Sequence, residues 1–181
     1  MSLAATRTPA AAIRVEAEGD ADAIRALIHA AFEAAPHASG TEAAIIDALR
    51  AADALSLSLV ACEDGADGYE PILGHIAFSP VSIESGEAGW YGLGPLSVWP
   101  DRQREGIGTA LVCDGLARLR KMGARGCVLI GDPAYYARFG FENRAGLTYR
   151  GLPEDYVQRL VITPPAPTGE IHYHPAFETA L

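Results

Sequence analysis

Leu96-Ser97-Val98-Trp99-Pro100-Asp101-Arg102-Gln103-Arg104-Glu105-Gly106-Ile107-Gly108-Thr109 reads as a strand that runs into a loop and then into a helix. Pro100 ends the strand, since it can donate no ladder hydrogen bond. From Ile107 onward, Leu111, Val112, Leu116 and Leu119 recur on one helical face. Arg120 and Lys121 occupy the expected last turn, and Gly123 supplies a stop. A helix begins with backbone N–H groups that have no partner and with a partial positive charge. That combination attracts phosphate oxygens. Gly106 and Gly108 let a phosphate approach the backbone with no side chain between them. Arg102 and Arg104 add positive charge beside it.

Two well-known phosphate loops do not fit. The P-loop requires Gly-Lys-Ser/Thr, whereas Gly108 is followed by Thr109 and Ala110. The dinucleotide fingerprint requires a third glycine three residues after the second, and position 111 is Leu. A lone Gly-x-Gly says little. The run Leu-x-Val-x-Pro-x-x-Gln-Arg-x-Gly-x-Gly, between a strand and a helix, says much more.

Working outward from the loop, the chain is mixed α/β. Ile13 to Ala17 alternates as a short strand does, and Gly19-Asp20 offers a turn and a cap. Ile24, Leu27, Ile28 and Phe32 then form an amphipathic helical face, which Pro36 to Gly40 breaks. Thr41 can cap a second helix that turns Ile45, Ile46 and Leu49 inward. Leu55 to Leu59 alternates strictly and predicts a half-buried strand, and Asp64 to Gly68 has turn chemistry. Ile72 to Ile83 and Gly89 to Val98 complete an antiparallel meander. Pro95 in its last strand predicts an edge or a bulge. Cys127 to Ile130 is a buried strand. Asp132-Pro133 begins a short helix through Tyr136 and Phe139 that ends at Gly140. Val157 to Ile162 and Glu170 to Tyr173 predict two further strands, separated by Pro164 to Pro167. Residues 1–12 form a flexible segment in this reading, and 13–181 a single domain.

Composition narrows the function. With 49% apolar residues, the 181-residue chain can bury a core. Its 14 basic and 23 acidic residues leave a net charge of −9, which argues against nucleic acid or an anionic membrane as the partner. Cys62, Cys113 and Cys127 are widely spaced and odd in number. They suggest neither a disulfide framework nor a zinc site, and they fit a reducing cytoplasm. No apolar run has the length of a membrane span.

With these residues in view, the chain resembles the GNAT superfamily of N-acetyltransferases. The element order from Ile13 to about Phe141 matches, and Gln103 to Gly108 matches the family's Q/R-x-x-G-x-G/A signature. The resemblance implies a mostly antiparallel central sheet flanked by helices, with the fourth and fifth strands splayed. The donor implied is acetyl-coenzyme A, with no metal. Backbone amides of Arg104, Glu105, Gly106, Ile107, Gly108 and Thr109 would hold its pyrophosphate, with Gln103 beside them. Leu96, Ser97 and Val98 would line the pantetheine arm, and Phe139 would stand near the cofactor. Gly131 to Phe141 is similar to the family's Tyr-x-x-x-Gly-Phe segment, which puts Tyr136 where many members keep the proton donor for the leaving thiolate. Tyr135 is expected only to pack the short helix. The resemblance implies an amine acceptor, either a small molecule or a protein lysine or N-terminus. It also leaves open a homodimer through the C-terminal strands. The rival reading is an acyl-CoA-binding regulatory domain without turnover.

The other candidate groups have plainer readings. Glu42 and Asp132 suit helix starts, Glu105 a solvated loop and His75 a satisfied strand position, so none is assigned as base. His172 and His174, two apart, predict a shared surface or interface face of a strand; no nearby Cys or His supplies a third metal ligand. Cys127 reads as core.

Overall fold

The computed structural model describes residues 11–33, 39–63, 70–143 and 146–178. Most of the N-terminal segment, the expected turn at 64–68 and part of the break at 36–40 lie outside the described residues. The elements are β1 (Ala12–Val15), α1 (Ala21–Phe32), α2 (Glu42–Ala51), β2 (Leu57–Cys62), β3 (Ile72–Ile83), β4 (Trp90–Val98), α3 (Ile107–Lys121), β5 (Gly126–Ile130), α4 (Pro133–Tyr136), β6 (Leu147–Thr148), β7 (Val157–Val161) and β8 (Gly169–His172).

Six strands lie in the order β1-β2-β3-β4-β5-β7, and every pair is antiparallel except β4–β5. Helices α1 and α2 cover one face, where Ile24, Ile28, Ile46 and Leu49 meet Val60 and Ala77. Helix α3 covers the other, where Leu111, Val112, Leu116 and Leu119 meet Leu59, Ile76 and Phe78. Each such apolar side chain contributes roughly 1.5–3 kcal/mol when fully buried. Gly115 allows close contact here: a Cβ on it would stand 2.5 Å from two carbons of the Phe78 ring.

Strand β2 departs from the expectation. It runs two to three residues later than the alternating segment, and all six of its residues are buried. Alternation predicts one wet face, but both faces of β2 carry helices. The polar residue Ser58 is accommodated by hydrogen bonds to Glu16 and His75.

Pro95 marks a bulge, and β4 is not an edge strand. Ile76 pairs with Leu96 and Phe78 with Leu93, so Gly94 and Pro95 together stand opposite Ala77 alone. On its other side, β4 pairs with β5 only at Trp90, Tyr91 and Gly92, whose partners are Gly126, Cys127 and Val128. Beyond Gly92 the two strands have no ladder bonds to one another, which is the splay the family resemblance implies.

The C-terminal strands hold one element the sequence reading lacked, the two-residue β6. Strand β8 pairs with β3 at Ser82 and Ile83 and with β6 at Leu147 and Thr148. It ends at His172, so His174 does not share a strand face with it. The Nδ1 atom of His174 instead accepts a hydrogen bond from the Ala176 backbone N–H at 3.1 Å, capping the turn that follows.

Candidate active site

The loop after β4 is folded so that its amides face outward. Arg104 and Gly106 both take left-handed backbone conformations, at φ 66° and 88°. For Gly106 this carries no steric cost; Arg104 is an uncommon non-glycine case. Gly106 caps α3, and the first intrahelical bond runs from the Ala110 N–H to the Gly106 carbonyl at 2.9 Å. No side chain caps the helix and no acid stands in its first turn. The amides of Ile107, Gly108 and Thr109 are therefore left for another acceptor.

These amides open on a cleft of about 630 Å³ lined by Leu96, Val98, Gln103, Arg104, Gly106, Gly108 and Thr109, with Arg102, Tyr135 and Arg138 completing its wall. Leu96 and Val98 belong to the part of β4 that has left β5. The Gln103 side-chain amide donates to the Val98 carbonyl at 3.2 Å and ties the loop to the strand.

The remaining expected site residues do not line this cleft. Ser97 alternates with Leu96 and Val98, so its side chain turns to the opposite face and is buried there. The Ile107 side chain lies in the core beneath α3, which leaves only its backbone for a ligand. Glu105 is exposed and pairs with Arg102 at 3.0 Å. Phe139 packs against the α3-side core and the Tyr135 ring. Tyr136 is largely buried against the same core, with its ring centroid 5.9 Å from that of Phe141. Its ring also lies against Gly131, where a Cβ would come within 2.7 Å of it. Burial, then the neighbouring Tyr135 and Cys127, push the Tyr136 phenol above its ordinary pKa. It stays a neutral O–H at physiological pH.

Sequence reasoning missed Tyr135 and Arg138. Tyr135 was expected only to pack α4, yet its hydroxyl stands 3.1 Å from where a Gly108 Cβ would be, across the cleft. The Arg138 guanidinium lies 4.8 Å from the centre of the Tyr135 ring, and its Nε donates to the Tyr135 carbonyl at 2.9 Å. The signal was available: two tyrosines in succession on a helix point about 100° apart, so one can face the core and the other the cleft. Arg102 contributes less positive charge than its sequence position suggests, because Glu63 at 3.2 Å and Glu105 hold it. Hydrogen bonds to those two carboxylates raise its pKa, Glu63 first. Arg104 has no ion-pair partner among the described residues.

Asp132 and Glu42 keep to their plain readings, whereas His75, expected to be satisfied, leaves its buried Nδ1 without a partner among the described residues. Asp132 caps α4 by accepting from the Ala134 N–H at 2.9 Å, and Glu42 accepts from the Ser39 N–H at 2.7 Å at the start of α2. His75 is fully buried and bonded to Ser58 at 2.9 Å, and burial lowers its pKa to about 4. No group of three or more potential metal ligands occurs among the described residues. None of their helices is long and apolar enough to cross a membrane.

Comparison with known proteins settles the family. The model of the Acetyltransferase (GNAT) family matches residues 21–141, from the start of α1 to just past α4.

The chain is a member of the GNAT acetyltransferase family.

Within the family it is 40% identical over 130 residues to the uncharacterized N-acetyltransferase YhbS of Escherichia coli K12, covering 72% of each chain. A GNAT family acetyltransferase of Brucella melitensis, solved in complex with acetyl-CoA, is 52% identical. It superposes with a TM-score of 0.79 over 92% of this chain and 97% of that one. The crystal structure of E. coli YhbS in complex with CoA gives 35% identity and a TM-score of 0.83, over 93% and 92% of the two chains. This GNAT member is thus an acyltransferase, and the β4–α3 cleft lies inside the matched region.

Proposed function

We propose that this enzyme transfers the acetyl group of acetyl-CoA directly to a primary amine, and that residues 13–181 form one acetyltransferase domain. The observation that carries the reading is a single cleft with free helix-start amides at one end and an unpaired β4 edge along its wall. The acetyl-CoA and CoA of the two solved relatives support it.

The residues fit that donor. The amides at the start of α3 bind pyrophosphate oxygens, and Arg104 faces the same charge. The released segment Leu96 to Val98 offers backbone groups to the amides of a pantetheine arm, as a sheet edge does to an added strand. Tyr135 and Arg138 close the cleft over it.

Chemistry then needs little beyond placement, which can replace much of the entropic barrier of a bimolecular step. The amine loses a proton to solvent or to a bound water before it attacks, because a lysine-like amine with a pKa of about 10.4 is mostly protonated at neutral pH. Tyr136 stands outside the cleft wall, with its ring against Gly131 just past β5, so in this reading the pantetheine arm runs between β4 and β5 to reach it. As the thioester carbon–sulfur bond breaks, Tyr136 gives its phenolic proton to the thiolate and later regains one from solvent.

Calorimetry with CoA after chelator treatment, followed by an amine and peptide screen for thiol release from acetyl-CoA, tests the proposal. Binding and amine-dependent release are expected. No binding at millimolar CoA would remove the donor assignment. Binding without turnover by any amine would favour an acyl-CoA-binding regulatory domain.

A further inference from the structure

Tyr173 holds a hydroxyl that the mechanism above leaves unused. That hydroxyl is shielded from water and has no hydrogen-bond partner among the described residues. Buried polar groups nearly always have one, so an orphan calls for an explanation. Its position supplies one. The Tyr173 ring lies against Gly92, where a Cβ would overlap it, and so only glycine admits the ring there. Gly92 is the last residue of β4 that pairs with β5 before the two strands part. The ring edge therefore sits at the fork of the splay.

The ring is also fixed in place. Tyr149 and Phe177 flank it, with ring centroids 5.1 and 4.9 Å away. It follows β8, which is anchored to β3 through Ile171 and His172. Tyr173 packs with Val81, Trp90 and Val128, on the face of the sheet opposite α3. Tyr136 packs on the α3 face. Even so, Cys127 and Tyr136, which pack on that far face and are uncharged at physiological pH, stand near enough to the Tyr173 hydroxyl to add, after burial, to the rise of its pKa. The two phenols thus approach one fork from opposite sides.

We propose that Tyr173 is a second catalytic phenol, whose hydroxyl donates a hydrogen bond to the carbonyl oxygen of the acyl group held at the fork. The proposal rests on the acetyl-transfer reading. When the amine nitrogen bonds to the carbonyl carbon, the carbonyl π pair moves to oxygen, and the Tyr173 O–H stabilises that charge. The pair returns as the carbon–sulfur bond breaks, the thiolate takes its proton from Tyr136, and the amine nitrogen releases one proton to solvent. Tyr173 gains and loses no proton. Burial holds its pKa well above the ordinary phenol value, which keeps it a donor. The hydroxyl has no partner among the described residues, and the acyl oxygen completes it.

The test is Tyr173→Phe in the full chain, with Tyr149→Phe as control. Thiol release from acetyl-CoA is followed with primary amines and with water alone as acceptor. Removing one donor to a developing oxyanion typically costs about 10²–10³-fold in kcat. A kcat loss in that range is expected for Tyr173→Phe with every acceptor, with KM for acetyl-CoA and the CoA dissociation constant unchanged. Its melting temperature should be equal or higher, since the variant loses an unpaired hydroxyl and keeps the ring. Tyr149→Phe should retain the wild-type rate. An unchanged kcat in Tyr173→Phe, a lowered melting temperature, or an equal loss in Tyr149→Phe would overturn the assignment. A wild type that neither binds CoA nor releases thiol strikes the acetyl-transfer reading itself, so the two failures can be told apart.

Discussion

The start of α3 and the buried cluster around His75 both gather polar groups beside the β3–β4 pair, and they do opposite things with them. At α3, amides and Arg104 face an open cleft and have no partners among the described residues. Around His75 the polar groups face inward and are mostly joined to one another. Ser58 donates to Glu16, which accepts from Arg50 at 2.7 Å, and Arg50 also donates to Asp47 at 2.8 Å. Because Ser58 spends its one proton on Glu16, the His75 Nε2 must be the donor in the bond between them. The His75 Nδ1 is then a bare acceptor, and it is buried without a partner among the described residues. Unmet donors that look into a cleft mark a ligand site, whereas a closed polar chain ties β1, β2, β3 and α2 together and becomes sensitive to pH.

The largest effect should come from Gly108→Val. The side chain would meet the Tyr135 hydroxyl and extend into the cleft where the phosphate approaches. Losing two or three charge-assisted bonds, each worth roughly 1.5–3 kcal/mol, should raise the CoA dissociation constant by orders of magnitude while circular dichroism stays native. A folded variant with wild-type affinity would break the contrast, because the open amides would not then be the ligand site.

Next in size is Tyr136→Phe. The ring remains to pack against Gly131 and Phe141, so only the hydroxyl is lost. Acetyl transfer at saturating acetyl-CoA should fall by up to about 10²–10⁴-fold, the usual range for a general acid. CoA affinity should be little altered, since the proton matters only as charge develops on sulfur. A thiolate leaves more readily than most groups, which favours the lower end. Equal rates across pH in the two proteins would confine catalysis to positioning by the α3 cleft.

The smallest effect belongs to the closed cluster and is one of stability. The His75 pKa is lowered from 6.5 to about 4, because burial outweighs the attraction of Glu16 and Arg50 adds repulsion. Between those values the unfolded chain binds a proton that the folded chain does not, so stability rises with pH across the window. Acidification from about pH 6.5 to 4 should therefore cost up to about 3 kcal/mol, visible as a falling urea midpoint. His75→Gln should flatten that slope. An unchanged slope would show that His75 is not the titrating group and that the cluster is less closed than its contacts suggest.

Much of this was legible along the chain. Helix α3 and its glycine entry, the β3–β4 meander and the bulge at Pro95 all follow from local rules, since helical spacing, proline and glycine act over a few residues. The free amides of the loop were legible for the same reason: a helix start presents its own N–H groups wherever it is placed. Tertiary structure decided the rest. Strand β2 is wholly buried because α3, far along the chain, covers the face that α1 and α2 do not, which alternation cannot reveal. Tyr135 and Tyr136 are adjacent and chemically identical, and only the packing of α4 against the core sent one ring to the cleft and the other inward. Tyr173 lies 81 residues after Gly92 in sequence and reaches it only because β8 returns to β3. A sequence fixes the conformations its neighbouring residues prefer; which side chains meet depends on chain reversals whose partners stand far apart along it.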